Sequence, residues 1–378
     1  MIIKLAVIGV VWAMTAALLA TSGSARAEDR LTKELARVKL PPGFKIDVYA
    51  RVPKARSLAV DHATGAVFVS TRGDKIYTVV DRNGDDVAEE LTILKAGLHV
   101  PNGIALHDGI LYVGEQDRVS KLTLATNESG VPGVLGASQV KGGLPDRRHH
   151  GWRYLSIGPD DKLYVSIGAA CNICIRPEPE GTIMRMNIDG SEAEIFARGV
   201  RNSVGHDFHP RTGEFFFTDN GGDGLGDDVP ADELNHAPEA GRHFGFPYMA
   251  GGRTESPQFS GQTPAMALTA PVVEFGAHHT ALGMHFYRGD MFPEDYRGDA
   301  FVAQHGSWDR SEPAGYRVMR VRFDEAGRAT GSDVFAEGWL MPTGDRWGRP
   351  VDVNELADGS LLVSDDHGGA VYRISYQR

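Results

Sequence analysis

Cysteine is nearly absent from this chain: two in 378 residues, Cys171 and Cys174. One pair is too few for a zinc site built from cysteine alone. Ile175 stands where a c-type haem would need histidine, so covalent haem is excluded too. The C-x-x-C spacing leaves two readings open, a disulfide closing a tight loop and a redox-active pair. Positive charge is also short, with 39 Lys and Arg against 50 Asp and Glu and a formal net charge of −11. An acidic chain binds polyanions poorly, which argues against DNA or RNA as partner. No segment sustains a helical period. After the first 20 residues no apolar run is long enough to span a bilayer.

Residues 1–27 read as a secretory signal: Lys4, an apolar run from Leu5 to Ala20, then Ala25-Arg26-Ala27 as an A-x-A cleavage site before Glu28. Losing Lys4 and Arg26 with this segment takes the net charge from −11 to −13. The destination is periplasmic or extracellular, which favours a disulfide.

What the chain does have is glycine, 46 residues of it, and a rhythm. Six times an alternating apolar strand leads through an Asp/Gly turn to a second strand. The copies begin at Ser57-Leu58-Ala59-Val60, Asn102-Gly103-Ile104-Ala105, Tyr154-Leu155-Ser156-Ile157, Val204-Gly205-His206-Asp207, Leu282-Gly283-Met284-His285 and Val351-Asp352-Val353. Alternation of period two between such turns marks antiparallel strands. Its recurrence predicts one all-β domain over residues 28–378, a six-bladed β-propeller of four-stranded blades of about 58 residues each. Two more alternating strands, Phe44 to Tyr49 and Ala370 to Ser375, predict that the two ends meet in one blade and close the ring. Long loops are predicted after the third and fourth copies, at Cys171 to Glu180 and Asn220 to Gly241. Such loops carry function on rigid scaffolds.

Three stretches carry a resemblance: His149-His150-Gly151-Trp152-Arg153 running on to Gly158-Pro159-Asp160; Gly199-Val200-Arg201-Asn202 with Asp219-Asn220-Gly221-Gly222-Asp223, Asp232-Glu233-Leu234-Asn235 and Phe244-Gly245-Phe246-Pro247; and Trp347-Gly348-Arg349-Pro350. In this order they resemble the soluble sugar dehydrogenases that use pyrroloquinoline quinone (PQQ), the glucose/sorbosone dehydrogenase group, most of all its sorbosone dehydrogenase-like branch. The resemblance covers nearly the whole mature chain. It implies an oxidoreductase that uses PQQ and Ca2+ and oxidises a sugar or similar alcohol or aldehyde, passing electrons to a separate acceptor.

The resemblance also implies roles for residues. A histidine takes the hydroxyl proton, which suits a group with a pKa near neutral. An ungapped count back from Pro159-Asp160 gives His150, and an alternative spacing gives His149. Arg201, Asn202 and Arg349 would hold the cofactor, since guanidinium groups pair with carboxylates and Asn donates to a quinone oxygen. His278 would touch the same site. The backbone carbonyls of Gly221 and Gly222 would bind calcium, an ion that takes six to eight oxygens. Arg310 and Arg317 are candidates for a cation that some members set against PQQ.

Two departures stand out. Ala169-Ala170-Cys171 replaces the acidic and amide side chains of the glucose-oxidising branch, and Gly222 replaces a common proline. Asp81-Arg82-Asn83-Gly84-Asp85 opens like a calcium loop, but Thr92 stands where the closing glutamate would be, so an Asx-rich hairpin turn is predicted instead. Two other classes compete with the dehydrogenase: a calcium-dependent propeller hydrolase of lactonase type and a non-catalytic binding propeller.

Overall fold

A computed structural model describes residues 30–128 and 130–377. The secretory signal expected at 1–27 lies outside the described residues. Among those described, no helix is long and apolar enough to cross a membrane.

The six copies become six radial sheets. Blade 1 comprises Ala55–Val60, Val67–Thr71, Ile76–Val80 and Glu90–Lys95; blade 2 comprises Gly103–His107, Ile110–Glu115, Arg118–Thr126 and Pro132–Lys141. Blade 3 has Leu155–Ile157, Lys162–Ile167, Thr182–Asn187 and Glu194–Arg198; blade 4 has His206–Phe208, Phe215–Asp219, Ala231–Ala237 and Val273–Ala277. Blade 5 has Ala281–Phe286, Ala300–Gln304, Arg317–Phe323 and Ala329–Glu337. Blade 6 takes Pro350–Glu355, Leu361–Asp365 and Ala370–Tyr376 from one end of the described chain and its outer strand, Phe44–Ala50, from the other. The expected closure is therefore present, with Phe44 opposite Tyr376 and Val48 opposite Tyr372. The Phe44 ring fixes this strand, lying 4.7 Å from that of Phe292 and 4.9 Å from that of Tyr376.

Burial explains why runs such as Phe215-Phe216-Phe217 and Leu361-Leu362-Val363 form second strands. These strands are buried on both faces, because each blade is sandwiched between its neighbours. Outer strands such as Glu90–Lys95 face solvent on one side, where even Leu91 and Ile93 are exposed. The core is divided among the blade interfaces. Tyr164, Phe196, Phe208, Phe215 and Phe217 fill the one between blades 3 and 4. Phe301, Phe335, Trp339, Tyr372 and Ile374 belong to the one between blades 5 and 6.

Near the axis the blades are stitched by polar groups. Thr218 Oγ1 of blade 4 donates to Leu282 O of blade 5 at 2.7 Å, and Ser364 Oγ of blade 6 donates to Arg56 O of blade 1 at 2.5 Å. The Asp352 carboxylate of blade 6 accepts the Leu58 N–H at 2.9 Å and the Tyr154 hydroxyl at 2.9 Å, tying blades 1 and 3 to it. The close approach needs glycine: a Cβ on Gly283 would stand 2.0 Å from Asp352 Oδ1, and one on Gly205 2.0 Å from Leu282 O.

Two expectations need correction. Blade 3 is not purely four-stranded and antiparallel, because Arg242–His243 adds a short parallel strand beside Glu194–Arg198. The segment Asn220 to Gly241 is not one loop, because Ala231–Ala237 is the third strand of blade 4. Its alternation is masked by Asp232, Glu233 and Asn235, which are buried for a polar purpose. The larger insertion follows instead, over residues 238–272, and holds the hairpin Met249–Ala250/Thr254–Glu255.

Burial pushes the Asp352 carboxyl up to about 7. The folded chain then keeps a proton that the unfolded chain releases above about pH 4. The stability this protonated group contributes is complete below that pH and is lost as pH rises through about 7. Asp352→Asn forfeits one accepted hydrogen bond, costing about 1 kcal/mol at acid pH. It has no proton to release, so its melting temperature relative to wild type should climb between pH 4 and 8, read by calorimetry. A constant difference would show that Asp352 is already ionised in the fold.

Candidate active site

In a propeller the innermost strands all enter beside the axis, and residues at their entries converge on one end of the central channel. Arg56, Trp152, Arg201, Asn202, Thr280 and Arg349 occupy such entries in blades 1, 3, 4, 5 and 6. Together with His150, His278, His305 and Gly221 they line a cavity of about 280 Å³.

Arg201 and Asn202 are placed by Asp219. Its buried carboxylate accepts the backbone N–H of Arg201 at 2.7 Å, of Asn202 at 2.6 Å and of Asn220 at 2.9 Å. Burial pushes its pKa up to about 6, and these amides oppose that rise. Asp232 does the same for the opposite wall, accepting Gly221 N–H at 3.0 Å and Thr280 N–H at 2.5 Å. Burial raises it to about 6 as well. Both acids are spent on the backbone.

The Arg201 guanidinium is clamped. Nε donates to Asn172 O at 2.8 Å, and Nη2 donates to Asn172 Oδ1 at 2.9 Å and to Asp223 Oδ2 at 2.8 Å. Asn172 sits inside the loop closed by Cys171 and Cys174, which are disulfide-bonded. The disulfide reading of the C-x-x-C pair therefore holds, and the loop it closes serves the cavity.

His150 has a positive φ of 53° and donates from Nδ1–H to Ala169 O at 2.5 Å. A carbonyl only accepts, so Nδ1 carries the proton and Nε2 keeps a free lone pair. Burial, then the positive charge of Arg201, lowers its pKa to about 2, so the ring is neutral at working pH. The His149 ring lies 4.0 Å from it, tilted by 52°, but is exposed and does not line the cavity.

The facing wall is cationic. Arg56 donates to Asn102 Oδ1 at 2.9 Å and to Asp366 Oδ2 at 3.1 Å, and its guanidinium lies 4.7 Å from the centre of the Trp152 ring. Arg72 reaches Asp366 at 3.3 Å, and His305 Nε2 lies 2.9 Å from the same carboxylate. Burial alone would raise the Asp366 pKa, but His305, Arg56 and Arg72 hold it well below the usual carboxylate range. Arg349 donates to His305 O at 2.9 Å and Gly306 O at 2.8 Å.

Near the mouth, ligand atoms of Asp223, His278 and Asp309 lie within 4.8 Å of one another. His278 Nε2 donates to Gly226 O at 2.8 Å, which leaves Nδ1 as its lone-pair nitrogen.

Of the residues singled out in the sequence, His150, Arg201, Asn202, Arg349, His278 and Gly221 meet in one cavity. Gly222 does not line it; a Cβ there would touch Ile173 at 2.9 Å. Arg310 is turned to Asp227 O and Ala277 O, and Arg317 to Gln304 and His279, so neither lines it. Sequence reasoning missed Arg56, Arg72 and Asp309, and gave Trp152 no role although it lies in a quoted stretch. Arg56 was within reach: like Arg349, it stands within one residue of the first residue of an innermost strand.

The fold and cavity define a class, the six-bladed propellers with an arginine-walled axial site and a neutral histidine. Within it, the chain belongs to the Glucose / Sorbosone dehydrogenase family, whose sequence profile matches residues 112–373. An uncharacterized protein of Borreliella burgdorferi (strain ATCC 35210 / DSM 4680 / CIP 102532 / B31) is 35% identical over 364 residues, 93% of this chain and 93% of that protein. Among solved structures, the holo form of the pyranose dehydrogenase PQQ domain of Coprinopsis cinerea superposes with a TM-score of 0.75 at 18% identity, covering 89% of this chain and 97% of that one. The calcium structure of the Trichoderma reesei carbohydrate-active enzyme of family AA12 gives 0.75 at 19% identity, over 90% and 97%. At these identities the structural likeness shows the fold.

Asp219→Ala leaves three backbone amides without their acceptor. It should cost about 3 kcal/mol or more in denaturant unfolding and speed amide hydrogen exchange at residues 201, 202 and 220. Unchanged exchange at those amides would show that Asp219 does not hold the loop.

Proposed function

We propose that this protein is an exported sugar oxidoreductase that uses PQQ and calcium, with His150 as its base and a separate electron acceptor. The observation that carries the reading is the pairing, in one cavity, of a histidine locked with Nε2 unprotonated and the guanidinium groups of Arg56, Arg72, Arg201 and Arg349.

The cavity's donors suit the cofactor. Three carboxylates on a flat ring system call for guanidinium partners, and Arg56, Arg201 and Arg349 are each held by protein acceptors before any ligand arrives. Asn202 Oδ1 and Asn220 Oδ1 are buried acceptors without a hydrogen-bond partner, suited to an N–H or a cation and not to the cofactor's oxygens. Trp152 supplies an aromatic face in the cavity wall. For calcium, Gly221 O and the carboxylates of Asp223 and Asp309 supply hard oxygen donors; Gly222 stands outside the lining. When bound, the quinone supplies a two-electron acceptor and calcium a Lewis acid.

The chain's own part is binding and proton handling. Arg201, Arg349 and Asn202 fix the cofactor. His150 Nε2 accepts the proton of the substrate hydroxyl, while Ala169 O keeps the ring oriented and shares the positive charge that develops. Export is supported by the A-x-A segment and by the Cys171–Cys174 disulfide, which persists in an oxidising compartment. The sequence has no haem-attachment motif, so electrons leave to a second molecule.

The test is a titration of calcium-loaded protein with PQQ, followed by absorbance on adding aldoses. Saturable binding and sugar-dependent bleaching of the quinone band are expected, and absence of binding at micromolar concentration would sink the reading. His150→Ala should retain PQQ binding and lose about 10²- to 10⁴-fold in kcat/KM. Because the base form of His150 is present above about pH 2, kcat/KM should show no acidic limb near pH 6.5. A limb centred there would assign the base elsewhere.

A further inference from the structure

Beside the axial cavity lies a second cleft of about 580 Å³, which shares Arg72 and Trp152 with it and adds Lys54, Arg148 and Gln116. One short segment serves both: His150 and Trp152 face the axial cavity, while Arg148, Gly151 and Trp152 line the cleft. The cleft is strongly cationic in a chain of net charge −11. Its one acid, Asp366, is already paired with the buried Arg56. Lys54 and Arg148 are exposed and form no ion pair among the described residues. Arg72 is bonded to Asp366 through Nη1 only, and its side chain is 45% exposed. The nearby Asp146 is engaged by the Gln116 amide and does not line the cleft.

Unpaired like charges converging on a wet cleft repel one another, and the arrangement costs stability unless an anion fills it. The axial arginines have a ligand under the reading above; Lys54 and Arg148 do not. We infer that the cleft is the substrate subsite and that the substrate is an anionic sugar, one carrying a carboxylate or a phosphate group, held by Lys54 and Arg148 beside Trp152. The guanidinium groups of Arg56 and Arg72 lie over the Trp152 ring, 4.7 and 5.3 Å from its centre, so the wall shared by the two cavities presents positive charge to such a molecule. The inference rests on the dehydrogenase reading for the reaction, but the binding stands apart from it.

The test is calorimetric binding to protein loaded with PQQ and calcium, with four ligands: D-glucuronate, its neutral methyl ester, D-glucose 6-phosphate and D-glucose. The two charged sugars, or one of them, should bind about tenfold more tightly than the neutral pair, and the better one names carboxylate or phosphate. In Lys54→Gln/Arg148→Gln, two exposed changes that leave the core untouched, the preference should shrink to within about twofold, as it should for wild type in molar salt. Equal affinity for all four sugars, or a preference unmoved by the double variant, would overturn the inference. The quinone bleaching in the same samples separates the two readings. Charge preference without bleaching removes the dehydrogenase and keeps the anion cleft. Bleaching with every sugar at equal affinity removes the cleft and keeps the dehydrogenase.

Discussion

Asp219, Asp232 and Asp352 are buried at or beside the axis of the ring, and each carboxylate accepts backbone N–H groups that no strand ladder satisfies. A propeller needs such groups. Its innermost strands end where six chains crowd toward one line, too close for ordinary pairing, and their entry amides would otherwise be buried without acceptors. Carboxylates solve this at an electrostatic cost that shows in their raised pKa values. The position of Arg201, Asn202, Gly221 and Thr280, and so the shape of the cavity, follows from that solution.

With the entries fixed by acids, the side chains that project from them are free to be cationic. Arg56, Arg201 and Arg349 are each braced by carbonyls, an amide or a carboxylate, so little conformational freedom is left to lose when an anion binds. The same cations act on His150. Arg201 adds to burial in keeping the ring neutral, and Ala169 O decides which nitrogen holds the proton. Binding and base strength are therefore coupled through one guanidinium, which a polyanion bound at the cavity would screen.

The disulfide belongs to the same design. By closing the loop that contains Asn172, it holds the acceptor of Arg201 from outside the propeller core. In the cleft beside Trp152, by contrast, Arg148 and Lys54 are exposed and form no ion pair among the described residues. The cations of the two cavities therefore differ: those of the axial cavity are braced by the protein, and Lys54 and Arg148 are not.

The sequence alone determined the ring. Alternation of period two, six times over, with a matching strand at each end, leaves few folds that bury so many two-sided strands, and the copies it marked are the six blades. Local pattern was enough because strand formation and turn chemistry are local. It also reached His150, Arg201, Asn202 and Arg349, which lie in recognisable stretches, and His278 by position. Tertiary structure alone decided which of them share a cavity. His149 and His150 are adjacent in sequence, and only the positive φ at His150 and the carbonyl of Ala169 point one of them inward. Arg56 and Asp366 are 310 residues apart and meet because the ring closes. Asp219 and Asp232 look like members of an acidic solvated loop until the amides they accept are seen. Contacts across the axis depend on the register of blades with one another, and no periodicity within a blade encodes that register.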